Sequence, residues 1–237
     1  MSSKSIFFSI LVILFFSLGA TPSQDKDARF VSFSTQGANI TFYWKDDKGT
    51  LLRSIQQLKL YVEGKNKQLT FAMNGGMYRK DNSPQGLFIE NNVVVSPLDT
   101  ASGGGNFYLK PNGVFYVTMD NHALISKTTD FVDNENVKFA TQSGPMLLID
   151  GEVHPAFKEG SKNLNIRNGV GILPDGNVIF AISKEEVNFY DFALFFQKMN
   201  CKNALYLDGF VSRAYIPSEK WSQLDGNFGV MIGVEEK

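Results

Sequence analysis

Three times along this chain a short run of apolar, β-branched or aromatic residues stops at a Gly-containing turn and then resumes. That alternation restricts the fold more than any other feature. Phe107–Lys110 is followed by Pro111-Asn112-Gly113 and Val114–Met119, Met146–Ile149 by Asp150-Gly151 and Glu152–His154, and Val170–Leu173 by Pro174-Asp175-Gly176 and Asn177–Ile182. Asn-Gly and Asp-Gly pairs accept the positive φ of tight turns, so each set predicts a β-hairpin. Several hairpins need a common core, and a chain of 237 residues, 43% of them hydrophobic, can fill one. From Ala28 onward no Pro/Ser-rich linker, charge block or long repeat interrupts the pattern, which predicts a single domain over residues 28–237.

Helical spacing occurs twice. Phe189, Phe192, Ala193, Phe196 and Met199 recur at intervals of three and four, predicting a helix over Asn188–Met199 with Asn188 as N-cap and Asp191 near its positive end. Leu51, Ile55 and Leu58 share a face of a second predicted helix, Leu51–Lys59. The strand from Val178, the first of these helices and the apolar run Ala204–Leu207 make one strand, helix, strand crossover. The predicted class is α+β: a large, mostly antiparallel sheet with hairpins, covered by one or two helices, including the crossover helix near 188–199.

At the N-terminus Lys4 precedes the apolar run Ile6–Leu18, and the small residues Ser17, Gly19 and Ala20 lead into a polar stretch. The 13 residues of that run fall short of the about 20 that a bilayer-spanning helix needs. Residues 1–20 therefore read as a signal peptide, and the mature chain as secreted or periplasmic with no membrane span. With 23 Lys+Arg against 24 Asp+Glu there is no basic excess to release counterions from nucleic acid. Cys201 alone cannot close an intramolecular disulfide, and His122 and His154 cannot complete a Cys/His zinc cage, so neither a metal nor a cofactor is expected. Cys201 reads as buried and inert, and the two histidines as loop residues. Asn39-Ile40-Thr41 is a formal glycosylation acceptor, and Ser102–Gly105 lacks the lysine and following helix of a phosphate loop.

Four motifs put polar groups at strand ends. In Phe71–Tyr78 an apolar run stops at Asn74, Gly75 and Gly76; paired glycines let backbone approach a ligand, and Asn-Gly also serves as ordinary turn punctuation. In Thr141–Pro145, Ser143 precedes Gly144-Pro145 at a sharp bend, without the flanking glycines of a nucleophile elbow, so a structural serine is the alternative. In Asn165–Ile172, Arg167 leads into a glycine-bearing strand where its planar fork suits a carboxylate or phosphate, unless it forms a structural ion pair. In Ala204–Arg213, Asp208 and Gly209 end a buried-type strand, a position open sheets use for catalytic groups and turns use for aspartate. An amide, a hydroxyl, a guanidinium and a carboxylate together would make a polar site of little net charge.

In order and spacing, FAMNGGMY (71–78), QSGPMLLIDG (142–151), IRNGVGILPDG (166–176) and LYLDGFVSR (205–213) resemble the phosphodiester glycosidase family. The resemblance runs from about Thr70 to the C-terminus. It implies a hydrolase of the glycosidic bond in a sugar-1-phosphodiester, with Asn74, Ser143, Arg167 and Asp208 lining the site. Gly75, Gly76, Gly144 and Gly209 would shape it, and Ser212 would match the serine that closes the family's Asp-Gly-Gly-Gly-Ser stretch, with Arg213 beside it on the substrate-binding side. Phe210 and Val211 depart from the small glycines of that stretch. Chemically, Arg167 would hold the phosphate and Asp208 would act at the sugar as acid/base or nucleophile, with Asn74 and Ser143 orienting the substrate. Two other readings stand beside this one. A carbohydrate-binding or adhesion module would stack sugars on Tyr78, Tyr206, Phe210 or Trp221, and a divalent-metal phosphodiesterase would use Asp208, Asp150 and Asp99 as oxygen ligands.

Overall fold

The computed structural model describes residues 27–132, 135–208 and 211–237; the signal peptide read at residues 1–20, and Gly209 and Phe210, lie outside the described residues. In chain order the first elements are β1 (Phe30–Thr35), β2 (Ile40–Tyr43), α1 (Ile55–Glu63), β3 (Gln68–Asn74), β4 (Phe88–Glu90) and β5 (Val93–Ser96). There follow β6 (Gly113–Thr118), β7 (Ala123–Lys127), β8 (Val137–Ser143), β9 (Met146–Ile149), β10 (Glu152–Val153) and β11 (Asn168–Ile172). The last are β12 (Val178–Ser183), α2 (Phe189–Lys198), β13 (Ala204–Tyr206), β14 (Ala214–Ile216), β15 (Trp221–Ser222) and β16 (Met231–Glu236).

The α+β class holds, but the one large sheet expected from the hairpins is three. Their strand orders are β1-β12-β11-β13-β9-β10, β15-β14-β3-β16-β2 and β5-β4-β8-β6-β7, and the strand pairs within them are antiparallel. Twist explains the division: strands rotate against their neighbours, so an open sheet with this many strands splits and folds over itself. The inner faces meet in one aromatic core. Phe71 of β3 stacks on Phe33 of β1 at 4.6 Å and on Phe180 of β12 at 4.8 Å, while Phe42 of β2 reaches Phe115 of β6 and Phe139 of β8.

Two of the predicted hairpins form. β9 and β10 turn at Asp150 and Gly151, and β11 and β12 at a loop containing Gly176, all three with positive φ. The set around Pro111 does not: Asn106–Tyr108 is a 3-10 turn and β6 already begins at Gly113. Pro111 offers no N–H to a ladder, and Asn112 turns inward to donate to the Phe107 carbonyl at 3.0 Å.

The crossover helix α2 starts where its cap predicts, with Asn188 Oδ1 accepting from Asp191 N at 2.8 Å. It links β12 to β13, which flank β11, and lays Phe192, Ala193 and Phe196 on the outer face of that sheet. Helix α1 begins four residues later than the spacing suggested. Arg53 takes a positive φ, Ser54 accepts from Gln57 N as the cap, and Ile55, Leu58 and Val62 form the buried face. Among the described residues no helix is long and apolar enough to cross a membrane.

Close seating of α2 depends on a missing side chain. A Cβ on Gly171 would lie 2.7 Å from Phe196 Cδ1 and 2.8 Å from Cys201 Sγ. Gly171→Ala is therefore expected to destabilise the fold by about 1–3 kcal/mol through overpacking, measurable as a lowered midpoint in thermal or urea denaturation.

Candidate active site

The four polar motifs converge at one end of the strands. Gly169 of β11 pairs with Tyr206 of β13, and Leu207 N donates to Asn168 O at 3.1 Å, which places Arg167 and Asn168 beside Leu207 and Asp208. Ser143, fully buried at the end of β8, donates through Oγ to Leu207 O at 2.5 Å. Asn74, at the end of β3, accepts on Oδ1 from Arg213 N at 2.8 Å and from Asn168 Nδ2 at 3.1 Å.

The residue that ties these strands together is Asn168, whose place in its motif gives less signal than that of its neighbour Arg167. Its Nδ2 also donates to Asn74 O at 2.8 Å, and its Oδ1 accepts from Asp208 N at 3.0 Å and lies 3.2 Å from Ser212 Oγ. Ser212 in turn donates to Asp208 O at 2.5 Å. Asn74 Nδ2 is buried and has no hydrogen-bond partner among the described residues. A buried donor without an acceptor is uncommon, and such groups concentrate at functional sites.

Arg167 is not presented as an open fork. It has no exposed surface, Nε donates to Val187 O at 2.8 Å, and Nη2 donates to Asn163 O at 2.8 Å. Its guanidinium lies 3.6 Å over the Phe189 ring. Among the described residues it makes no ion pair with a carboxylate. Nη1 makes a single long contact, 3.4 Å to Tyr206 Oη. Burial pushes the guanidinium pKa down, and the nearby Tyr206 partly offsets that.

Tyr206 feels both charges. Burial pushes its hydroxyl pKa up, Arg167 pulls it back, and the Asp208 carboxylate adds to the rise. Tyr78 is raised by burial first and then by the same carboxylate, so the Asp208 charge is felt at both phenols. Asp208 is partly exposed.

The glycines serve packing. A Cβ on Gly76 would stand 2.3 Å from Thr141 Oγ1, and one on Gly144 would stand 2.7 Å from Asn112 Cβ. Gly75 N donates to Val230 O at 2.8 Å. Gly76 thus lets the end of β3 approach Thr141 of β8, Gly144 admits the loop at Phe107 and Asn112, and the Gly75 amide is already engaged. Arg213 reaches outward to Asp225, with Nε 2.8 Å from Oδ1.

The residues named in the competing readings are placed as follows. Tyr206 is 1% exposed and edge-on to Phe189, so it offers no sugar platform. Trp221 is half-buried and hydrogen-bonded to Gln223. Asp150 lies at the opposite end of β13 from Asp208, with its N–H on Asn203 and its carboxylate 3.5 Å from Lys202. Asp99 accepts from Tyr108 Oη, and among the described residues no three His, Cys, Asp or Glu side chains gather as a metal-ligand set. Cys201 is buried, its thiol pushed up to about 12 by desolvation.

His154 lies in a loop, and it is buried. It stacks on Phe157 at 4.7 Å and Phe157 stacks on Phe189 at 4.9 Å, so a ladder of rings runs from the histidine to Arg167. Nδ1 accepts from Ala156 N at 3.1 Å, which only the neutral ring can do while keeping that contact. Desolvation lowers its pKa below the ordinary 6.5, so the unfolded chain takes up the proton first. The stability from neutral His154 is complete above that ordinary value and is lost as pH falls through the folded value. Urea denaturation from pH 7.5 to 5 should show a smaller acid loss of stability in His154→Phe than in the wild type.

Comparison with known proteins places this arrangement. The chain is 34% identical over 239 aligned residues to YigE, an uncharacterized protein of Escherichia coli (strain K12), covering 99% of this chain and 93% of that one. Its fold is similar to the zebrafish N-acetylglucosamine-1-phosphodiester alpha-N-acetylglucosaminidase catalytic domain auto-inhibited by its pro-peptide: TM-score 0.61, 16% identity, 90% of this chain and 85% of that one covered. A Burkholderia pseudomallei K96243 protein proposed to be exported also superposes, with TM-score 0.57, 10% identity and coverage of 86% and 73%. The profile of the phosphodiester glycosidase family matches residues 67–230, which takes in all four strand-end motifs. This chain belongs to the phosphodiester glycosidase family, a membership that supports a hydrolase role.

Proposed function

We propose that the protein hydrolyses the bond between a sugar C1 and a phosphate oxygen in a sugar-1-phosphodiester. The observation that carries this reading is a buried guanidinium without a carboxylate partner among the described residues, in contact with the Tyr206 phenol, beside a segment that carries the partly exposed Asp208 just after β13. A phosphodiester needs positive potential at its phosphate, and an oxocarbenium-like sugar needs negative charge beside C1. Arg167 and Asp208 meet those needs on neighbouring strands.

The burial of Arg167 changes how it acts. Its Nε and Nη2 donors are committed to Val187 and Asn163, so it contributes charge across the Tyr206 hydroxyl instead of a two-pronged grip. In a water-poor interior that charge is felt more strongly than at a surface. The positive end of α2, whose first residue Phe189 carries the guanidinium on its ring, adds to the same potential. Asp208 acts at C1, as base for the attacking water or as the nucleophile that water later displaces. The C1 to oxygen bond breaks, its electron pair leaves with the phosphomonoester, and the sugar takes the water oxygen. Phosphate is already a weakly basic leaving group, so little protonation is needed.

Export belongs to the same proposal, supported by Lys4 and the apolar run Ile6–Leu18. The carbohydrate-binding alternative loses one of its platforms to the burial of Tyr206.

Release of reducing sugar from methyl esters of glucose-1-phosphate and N-acetylglucosamine-1-phosphate tests the activity. Asp208→Asn should lower kcat by about 10²–10⁴-fold with the denaturation midpoint kept; full turnover by that variant would remove the assignment. Arg167→Met should cost about 10²–10³-fold, and Arg167→Lys, which keeps the charge, should cost less.

A further inference from the structure

We propose that Asn168 is a positioning residue of this site, setting where Asp208 is presented and so acting on kcat more than on substrate affinity. This rests on the reading of Asp208 as the group that acts at C1.

The amide of Asn168 is completely buried and uses its full hydrogen-bonding capacity in a directional way. Both Nδ2 protons go to one residue, to Asn74 O at 2.8 Å and Asn74 Oδ1 at 3.1 Å. Both acceptor positions of Oδ1 face the Asp208 segment, Asp208 N at 3.0 Å and Ser212 Oγ at 3.2 Å. Ser212 Oγ is also 2.5 Å from Asp208 O, so its single proton is shared between two acceptors and the hydroxyl is held from both sides. The backbone of Asp208 is thus fixed at its N–H and at its carbonyl by groups that converge on one oxygen. The other half of the amide is anchored to β3, a strand of a different sheet. Asn168 therefore transmits the position of one sheet to the carboxylate-bearing end of another. No other residue type both donates twice to Asn74 and accepts twice from Asp208 and Ser212 at the same side-chain length.

The test compares wild type, Asn168→Leu and Asn168→Asp on the same two methyl phosphodiesters between pH 4.5 and 8, with denaturation midpoints measured in parallel. Asn168→Leu should lower kcat by about 100-fold and move KM by less than about threefold, the pattern of a displaced reacting group. In Asn168→Asp the introduced carboxylate keeps both acceptor contacts but faces the two Asn74 oxygens without a proton. Its kcat relative to wild type should be low at pH 8 and rise as pH falls, because the neutral carboxyl regains one donor. A merely structural amide would shift the midpoint and leave that ratio flat. A folded Asn168→Leu with wild-type kcat, or a ratio for Asn168→Asp independent of pH, overturns the proposal; if Asn168→Leu does not fold, the Asn168→Asp ratio decides alone. Absence of wild-type turnover removes the reading of the site together with this proposal, whereas wild-type turnover with unaffected Asn168 variants removes this proposal only.

Discussion

A guanidinium taken out of water without a carboxylate to meet it costs several kcal/mol unless dipoles and π faces replace its hydration, a debt of about that size for any buried ion. Arg167 meets that condition through two backbone carbonyls, one phenol and the face of Phe189. Those groups come from three parts of the chain. Asn163 lies in the loop before β11, Val187 and Phe189 at the start of α2, and Tyr206 on β13. The crossover over the first sheet, the stacking of Phe157 on Phe189 and the seating of α2 close to Gly171 all serve to bring them around one side chain.

The sheets do the complementary job on the inner side. Three twisted antiparallel sheets share an aromatic core, and their ends at β3, β8, β11 and β13 come together because that core pulls the inner faces to contact distance. Polar residues at those ends are buried by the same closure, and they satisfy each other through Asn74, Asn168, Ser143, Asp208 and Ser212. A polar cluster of this kind is held firmly when every member is paired. The unpartnered Nδ2 of Asn74 is the one conspicuous gap in it among these residues.

Much of the scaffold was legible in particular residues. Asn188 and Asp191 marked the start of α2, and Asp150-Gly151 and Asp175-Gly176 marked two hairpins, because capping and positive φ are local demands met by few residue types. The start of α1 was misjudged because Leu51 continues the apolar spacing while Arg53 and Ser54 break the backbone path. The hairpin expected at Pro111 failed for a similar reason: its turn residues are plausible alone but leave no ladder for Phe107–Lys110 to join. Arg167 and Asp208 are legible by residue type, whereas the signal of Asn168 is only a polar side chain at an otherwise apolar strand start.

By itself the sequence determined the α+β class, the crossover helix and the four strand ends that carry polar chemistry, since periodicity, caps and turns are written within a few residues of chain. Tertiary structure alone decided that the strands divide into three sheets, that Gly76 is small to admit β8 and Gly144 to admit the loop before β6, and that Arg167 is enclosed instead of exposed. It alone also decided that one amide joins β3 to the Asp208 segment. Those outcomes depend on sheet twist and on contacts between residues dozens of positions apart, and no local pattern encodes which buried polar group will meet which partner.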